Sequence, residues 1–345
     1  MKNRYSSIDL LRFLAAFAVA VSHFLMHTNG YNLNLEIISS ISVEVFFIIS
    51  GFVLAPQIIS ILQNKKFKNY KIFLIRRWYR TIPLYILSLL LTSIILNNLF
   101  TLDFFKYLFF LQNLFVVAVE NDFFSIAWSL SVEEWFYIVF PLFLLSFYKK
   151  FNFIDRRYSV YFAYLFILLI LLLRLFFSDS DEWGSNVRRV VIFRLDSIAF
   201  GFILYFFKDK LEYKVFNNLL LLVLIILTTI LTFHILKVNA LDQIFIYQFI
   251  FHYIVGIWGC LIVIFCYILD KNIENTRFIK INLYLGKISY SVYLFHLLLI
   301  YIISSLFNFN LFLTIIVFIL TQIILSILLY HYFEKPILDS RPNYR

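Results

Sequence analysis

Long apolar runs alternate with short polar segments along the whole chain. A helix needs about 20 mostly apolar residues to cross a bilayer core. By that rule the sequence predicts ten spans, near 8–26, 40–61, 80–98, 127–148, 159–177, 189–207, 217–236, 243–269, 284–306 and 311–333. The stretch 102–118 is apolar but short. Its Asp103, Lys106 and Asn113 make it an expected interfacial or re-entrant segment. The first run follows Ser6-Ser7-Ile8-Asp9 and contains Arg12, with no small-residue cleavage site after it. It reads as a retained helix, not a signal peptide. The expected fold is all-α and polytopic, a single transmembrane domain over 1–345 with no linker, repeat or appended soluble domain.

Composition removes the competing classes. The chain is 62% hydrophobic and 14% charged, against about a quarter charged in soluble domains. So few charges cannot cover a soluble surface, and so many apolar residues exclude disorder. Cys260 and Cys266 are the two cysteines, and on a helix they face different directions. Neither a disulfide scaffold nor a metal site is expected.

Charge then sets orientation. Lys and Arg collect in cytoplasmic loops. With the N-terminus inside, the inner segments hold 23 basic residues and the outer ones 4, namely Lys106, Arg188, Arg189 and Lys237. Both termini are therefore expected in the cytoplasm. The net charge of +10 is a topological asymmetry and does not point to nucleic acid.

Ionisable groups inside apolar spans cost about 2.5–3.5 kcal/mol each at mid-helix, so each calls for a role. Arg174 lies near a span end and reads as a snorkelling anchor, and His234 and His252 read as interfacial. In the first span Asp9 and Arg12 stand three apart and can pair on one face. His23 follows Arg12 by eleven residues, close to three turns, which puts both on one face about 16 Å apart. Such a histidine is either a proton acceptor near neutral pH or a packing residue bonded to a carbonyl.

Other polar positions also carry two readings. Ser50-Gly51 permits a close helix crossing or the approach of a ligand. Arg76, Arg77 and Arg80 precede Pro83. Guanidinium forks suit phosphate oxygens, and a helix start at Pro83 would add an anion-favouring N-terminus. Membrane anchoring is the alternative. In Trp128-Ser129-Leu130-Ser131-Val132-Glu133-Glu134 two adjacent carboxylates point to different faces. Either could orient a histidine or pair with an arginine such as Arg194. Arg194-Leu195-Asp196 and the run Ser289-Tyr290-Ser291-Val292-Tyr293-Leu294-Phe295-His296 complete the set.

In this order the motifs carry a resemblance. Asp9-Leu10-Leu11-Arg12 with His23, Phe46-Phe47-Ile48-Ile49-Ser50-Gly51-Phe52, and Arg76-Arg77-Trp78-Tyr79-Arg80-Thr81-Ile82-Pro83 resemble motifs of the membrane acyltransferase 3 family of sugar O-acyltransferases. So do Trp128 to Tyr137, Ser289 to His296 and the closing Glu334-Lys335-Pro336. The family's usual Asp-Gly-Leu-Arg opening has Leu10 in place of glycine here.

The resemblance implies transfer of an acyl group, usually acetyl, from cytoplasmic acyl-CoA to a carbohydrate or glycolipid hydroxyl at the outer side of a bacterial inner membrane. His23 would be the general base, and by helix rise it lies about 22 Å beyond residue 8, in the outer half of the core. Glu133 would orient it, and Asp9 and Arg12 would set the helix and the donor path. Arg76, Arg77 and Arg80 would hold phosphates, with Ser50 and Gly51 along the acyl channel. Trp128, Ser129, Ser131, Arg194, Asp196, Tyr290 and His296 would line the site. Ser129, Ser131 and Tyr290 are the candidate oxyanion donors. Acyl-CoA is a co-substrate, and no permanently bound cofactor or metal is expected. Two other classes fit the same charges: a flippase for an anionic lipid-linked sugar, and an envelope scaffold.

Overall fold

A computed structural model describes residues 5–64, 67–151, 156–177, 183–214, 226, 229, 245–306 and 310–342. Every described element is helical: α1 (Ser6–Asn29), α2 (Leu33–Asn64), α3 (Phe67–Ile95), α4 (Leu102–Leu108), α5 (Ala127–Phe151), α6 (Arg156–Phe177), α7 (Leu195–Lys214), α8 (Phe245–Asn272), α9 (Thr276–Leu306), α10 (Leu311–Leu329) and α11 (Lys335–Asp339). A π-helical turn at Trp183–Arg188 and a 3₁₀ turn at Val191–Phe193 precede α7, and a second π turn, Tyr330–Glu334, joins α10 to α11.

Eight segments among the described residues are long and apolar enough to cross a membrane. Two of the ten expected spans are missing from that set. The expected span 217–236, with His234, lies outside the described residues apart from 226 and 229. The expected span 189–207 is corrected: its first residues are the 3₁₀ turn, and the helix runs on to Lys214 through Lys208, Asp209 and Lys210, which dilute its apolar character.

The third span is also corrected. It begins at Phe67, so Pro83 lies in mid-helix and the arginines stand on the helix body, away from free N–H groups. No helix breaker interrupts residues 67–82, and Lys and Arg are good helix formers. The segment 102–118 forms only the short α4 and then an irregular stretch that folds over the start of α5. There Asn113 Nδ2 donates to the Trp128 carbonyl at 3.1 Å, and the Asn113 carbonyl accepts from Val191 N at 2.9 Å.

Small residues let α1 sit centrally between α2 and α9. Ala15, Ala16, Ala20 and Ser22 are buried along it. Gly286 of α9 accepts Asp9 so closely that a Cβ there would lie 2.5 Å from the Asp9 Cβ. The start of α1 is capped from α8: Asp270 Oδ1 accepts from Ser6 Oγ at 2.6 Å, Ser7 N at 2.8 Å and Ser7 Oγ at 2.9 Å. A carboxylate there satisfies an orphan N–H and complements the helix dipole.

A buried ionic cluster joins α2, α6, α7 and α8. Arg174, fully buried, donates to Asp196 Oδ2 at 2.6 Å and to the Phe193 carbonyl. Arg194, also fully buried, pairs with Glu44 and contacts His252 Nδ1. One expectation is thereby corrected, since Arg174 does not snorkel; His252, at the start of the candidate span Phe251–Lys271, is buried against Arg194. Each side chain is held inside because a partner there makes burial cheaper than reaching out.

Candidate functional site

Three cavities lie in series along the bundle. The first is a basin of about 530 Å³ at the end that carries both termini, since Tyr5 and Arg341 both line it. Arg12, Arg76, Arg77, Arg80 and Arg341 give it five guanidiniums. Asp9 is the one carboxylate among its described lining residues, and it accepts from Arg12 Nη1 at 3.0 Å. Such a surplus of fixed, forked positive charge suits a polyanion.

The second is a narrow cavity of about 80 Å³, room for several water molecules. It shares Arg12, Val53, Arg77 and Arg80 with the basin. Its walls include Phe46, Leu54 and Leu130, and its polar groups include Ser50, Ser129, Glu133 and Tyr290. Glu133 is held by two hydroxyls: Ser50 Oγ donates to Oε1 at 2.6 Å and Tyr137 donates to Oε2 at 3.0 Å. Tyr290 donates to the Thr81 carbonyl at 2.8 Å, and Thr81 Oγ1 donates to Glu134 Oε1 at 2.6 Å.

The third cavity, about 160 Å³, lies toward the opposite end and is lined by His23, Trp128, Tyr31, Glu36, Arg188 and Arg189 among others. Val43 and Tyr293 border both the second and the third. The Tyr293 hydroxyl lies 2.6 Å from Ser129 Oγ and 3.2 Å from the Ile126 carbonyl it donates to. Tyr293 thus stands between the two chambers, with Ser129 on the side of the second.

His23, half-buried, is oriented by α9. Its Nδ1 lies 2.8 Å from His296 Nε2, and His296 Nδ1 lies 2.6 Å from the Tyr293 carbonyl. A carbonyl can only accept, so His296 Nδ1 carries the proton and its Nε2 accepts from His23 Nδ1. The remaining nitrogen, His23 Nε2, then holds a lone pair.

At the far rim Arg188 Nη2 donates to Glu36 Oε1 at 2.8 Å and its Nη1 to Ser40 Oγ at 2.6 Å. Burial pushes the Arg188 guanidinium down to about 10, and the neighbouring Arg189 charge adds to the shift while Glu36 opposes it. Arg189 pairs with Asp122 at 2.8 Å.

The expected site residues divide accordingly. Arg12, Asp9, Arg76, Arg77 and Arg80 meet in the basin, and Ser50, Ser129, Glu133 and Tyr290 in the narrow chamber. His23 and Trp128 meet in the far one, and His296 touches His23 from behind. Four stand apart. Gly51 faces α7, where a Cβ would lie 1.9 Å from the Ile198 carbonyl oxygen, so it serves a helix crossing and does not border the cavities. Ser131 is buried against Gln112 Nε2 and the Ala127 carbonyl. Arg194 and Asp196 belong to the ionic cluster. Glu133 bonds to Ser50 and Tyr137, and the orienting group on His23 is His296.

Sequence reasoning passed over Tyr293, Arg188, Arg189 and Arg341. Arg188-Arg189 did carry a signal, being half of the few bases placed outside. Tyr293 lay inside a quoted motif one helical turn before His296.

Fold and cavities together define a multi-pass helical membrane protein with an arginine-lined basin in series with a half-buried histidine. A family model described as an acyltransferase domain matches residues 5–331. The chain belongs to that family, the acyltransferase 3 family of membrane-bound O-acyltransferases. It is 30% identical over 174 residues to an uncharacterized protein of Haemophilus influenzae, covering 46% of this chain and 69% of that one. It is 26% identical over 232 residues to a Staphylococcus aureus protein provisionally named an O-acetyltransferase, covering 62% of this chain and 36% of that one. It is also 30% identical over 162 residues to peptidoglycan O-acetyltransferase OatA of Listeria monocytogenes, covering 41% of this chain and 24% of that protein. The chain thus spans about a third or less of the two relatives named as O-acetyltransferases. No solved structure matches it.

Proposed function

We propose that this protein transfers an acyl group, acetyl in the first instance, from acyl-CoA in the cytoplasm to a hydroxyl of a cell-envelope carbohydrate on the other side of a bacterial inner membrane. The observation that carries this reading is the series of three chambers from a five-arginine basin to His23. The O-acetyltransferase names of the relatives support the acetyl group, and peptidoglycan, the acceptor in the Listeria protein's name, is the first glycan to test.

The topology proposed is ten crossings within one domain, both termini inside. The basic bias of the inner segments supports the orientation. Eight candidate spans and α7 stand among the described residues.

In the proposed mechanism the basin arginines hold the phosphates and the thin pantetheine arm passes Arg12 into the narrow chamber. The Ser129–Tyr293 pair opens to bring the thioester carbonyl to His23. His23 Nε2 takes the proton of the acceptor hydroxyl as its oxygen attacks the carbonyl carbon. The C–S bond then breaks, and the leaving CoA thiolate takes the proton from the imidazolium. His296 holds the attacking tautomer and shares the charge through the Nδ1 hydrogen bond. Of the expected oxyanion donors Ser129 is the one bonded to Tyr293, which borders both chambers, so we assign that role to these two hydroxyls. Ser50 and Tyr137 keep Glu133 fixed as a polar wall of the acyl path.

The test is sidedness. In proteoliposomes of known orientation, acetyl-CoA supplied on the side of the termini and a peptidoglycan fragment on the other should give O-acetylated product. Product formed only when both are on one side would overturn the proposed path.

A further inference from the structure

The basin has a second wall that the phosphate reading does not use. Besides the arginines, Tyr5, Phe52 and Tyr205 line the same cavity. Their rings brace one another: Tyr5 and Phe52 centroids lie 5.8 Å apart and Phe52 and Tyr205 5.6 Å apart. The bracing continues outside the lining. Tyr267 packs on Tyr5 at 5.3 Å and on Phe52 at 6.0 Å. The Lys208 ammonium sits 4.5 Å from the Tyr205 centroid, 5.1 Å from Tyr267 and 5.8 Å from Tyr5, and donates to the Tyr5 hydroxyl at 3.2 Å. One cation therefore ties three rings together from a position that does not line the cavity. The Tyr267 hydroxyl donates to Asp209 at 2.9 Å, which fixes the backing layer.

A membrane anchor needs no such preformed aromatic surface in one cavity with five guanidiniums. A ligand with a planar base, phosphates and a thin arm does. We infer that Tyr5 and Tyr205, with the fully buried Phe52 packed behind them, form the nucleobase subsite of the basin, on which the adenine of the acyl-CoA stacks while Arg77, Arg80 and Arg341 hold its phosphates. The assignment rests on the donor reading above and adds to it an orientation: adenine toward α7 and the chain's N-terminus, pantetheine toward Arg12 and Val53, the residues the basin shares with the narrow chamber. It also gives the C-terminal segment a role. Arg341 reaches the basin from beyond α11, and the Pro342 carbonyl accepts from Arg76 Nη1, so this segment is held at the mouth.

The experiment compares two donors on the purified protein: acetyl-CoA, and acetyl-4′-phosphopantetheine, which lacks the adenosine and two of the three phosphates. Base–aromatic stacking predicts that Tyr205→Ala raises KM for acetyl-CoA roughly tenfold. KM for acetyl-4′-phosphopantetheine should stay as in the wild type, and Tyr205→Phe should keep the wild-type KM for both. Arg341→Ala, at an exposed position, should raise KM for acetyl-CoA more than for the short donor. An equal rise for both donors in Tyr205→Ala, or no rise for acetyl-CoA, would overturn the subsite. Absence of transfer from acetyl-CoA by the wild type would instead overturn the donor reading, and the subsite with it.

Discussion

His23 Nδ1 and His296 Nε2 lie 2.8 Å apart, and His296 in turn donates to a carbonyl one turn earlier on its own helix. The pair joins α1 to α9 and fixes which nitrogen of His23 can take a proton. His296→Ala should leave His23 free to rotate and to adopt the other tautomer. The expected result is a loss of about 10²-fold in kcat with KM for both substrates near the wild type. Steady-state transfer rates check this. An unchanged kcat would remove His296 from the mechanism.

The α2–α7 crossing is a backbone-to-backbone contact. A Cβ on Gly201 would lie 1.9 Å from the Ile48 carbonyl oxygen, and one on Gly51 would lie 1.9 Å from that of Ile198. Neither neighbour can swing aside, so the helices must part. Gly201→Ala should cost about 1–3 kcal/mol or more, read as a lower thermal midpoint in detergent. The Ser50–Glu133 bond, one residue along α2, should loosen with it.

Arg174 and Asp196 form a buried pair with side-chain exposures of 0% and 2%. Asp196→Ala leaves a guanidinium buried without that carboxylate and should cost about 3–5 kcal/mol. The double variant Arg174→Met with Asp196→Leu should recover much of the loss. Comparison of the three thermal midpoints separates a structural pair from a catalytic one, because the double variant should also regain transfer activity.

How much of this was legible from sequence depends on the kind of residue. Spans such as Ala127–Phe151 and Leu311–Leu329 were readable because apolar length alone decides them. The start of α3 was not, because its first turns are amphipathic and basic and no apolar count includes them. Span-by-span reading could place His23 and the arginine cluster at opposite ends of a path, since helix rise is fixed. It could not give the partners. Which carboxylate meets Arg194, or which ring nitrogen meets His23, depends on helix neighbours that periodicity does not name. The same limit hid Tyr293, whose role comes from standing between two chambers.

Asp103 staples the loop after α4. Its carboxylate accepts from Lys106 Nζ at 3.0 Å, Asn121 N at 2.9 Å and Glu120 N at 3.1 Å. Burial alone would raise this carboxyl, but the Asn121 N–H, Lys106 and the Glu120 N–H together hold it below the usual carboxylate range. A lowered carboxyl contributes stability that is present above its unfolded value and lost as pH falls through its folded one. The difference in thermal midpoint between the wild type and Asp103→Asn should therefore be full near neutral pH and shrink as the solution is acidified below the ordinary Asp range. A difference that grew with acid would contradict this assignment.

The most direct measurement is label transfer from acetyl-CoA to a peptidoglycan fragment by the purified protein and by a folded His23→Ala variant. The account expects transfer by the wild type and a loss of about 10²–10⁴-fold in the variant, with donor binding retained. Transfer by His23→Ala at the wild-type rate would contradict it.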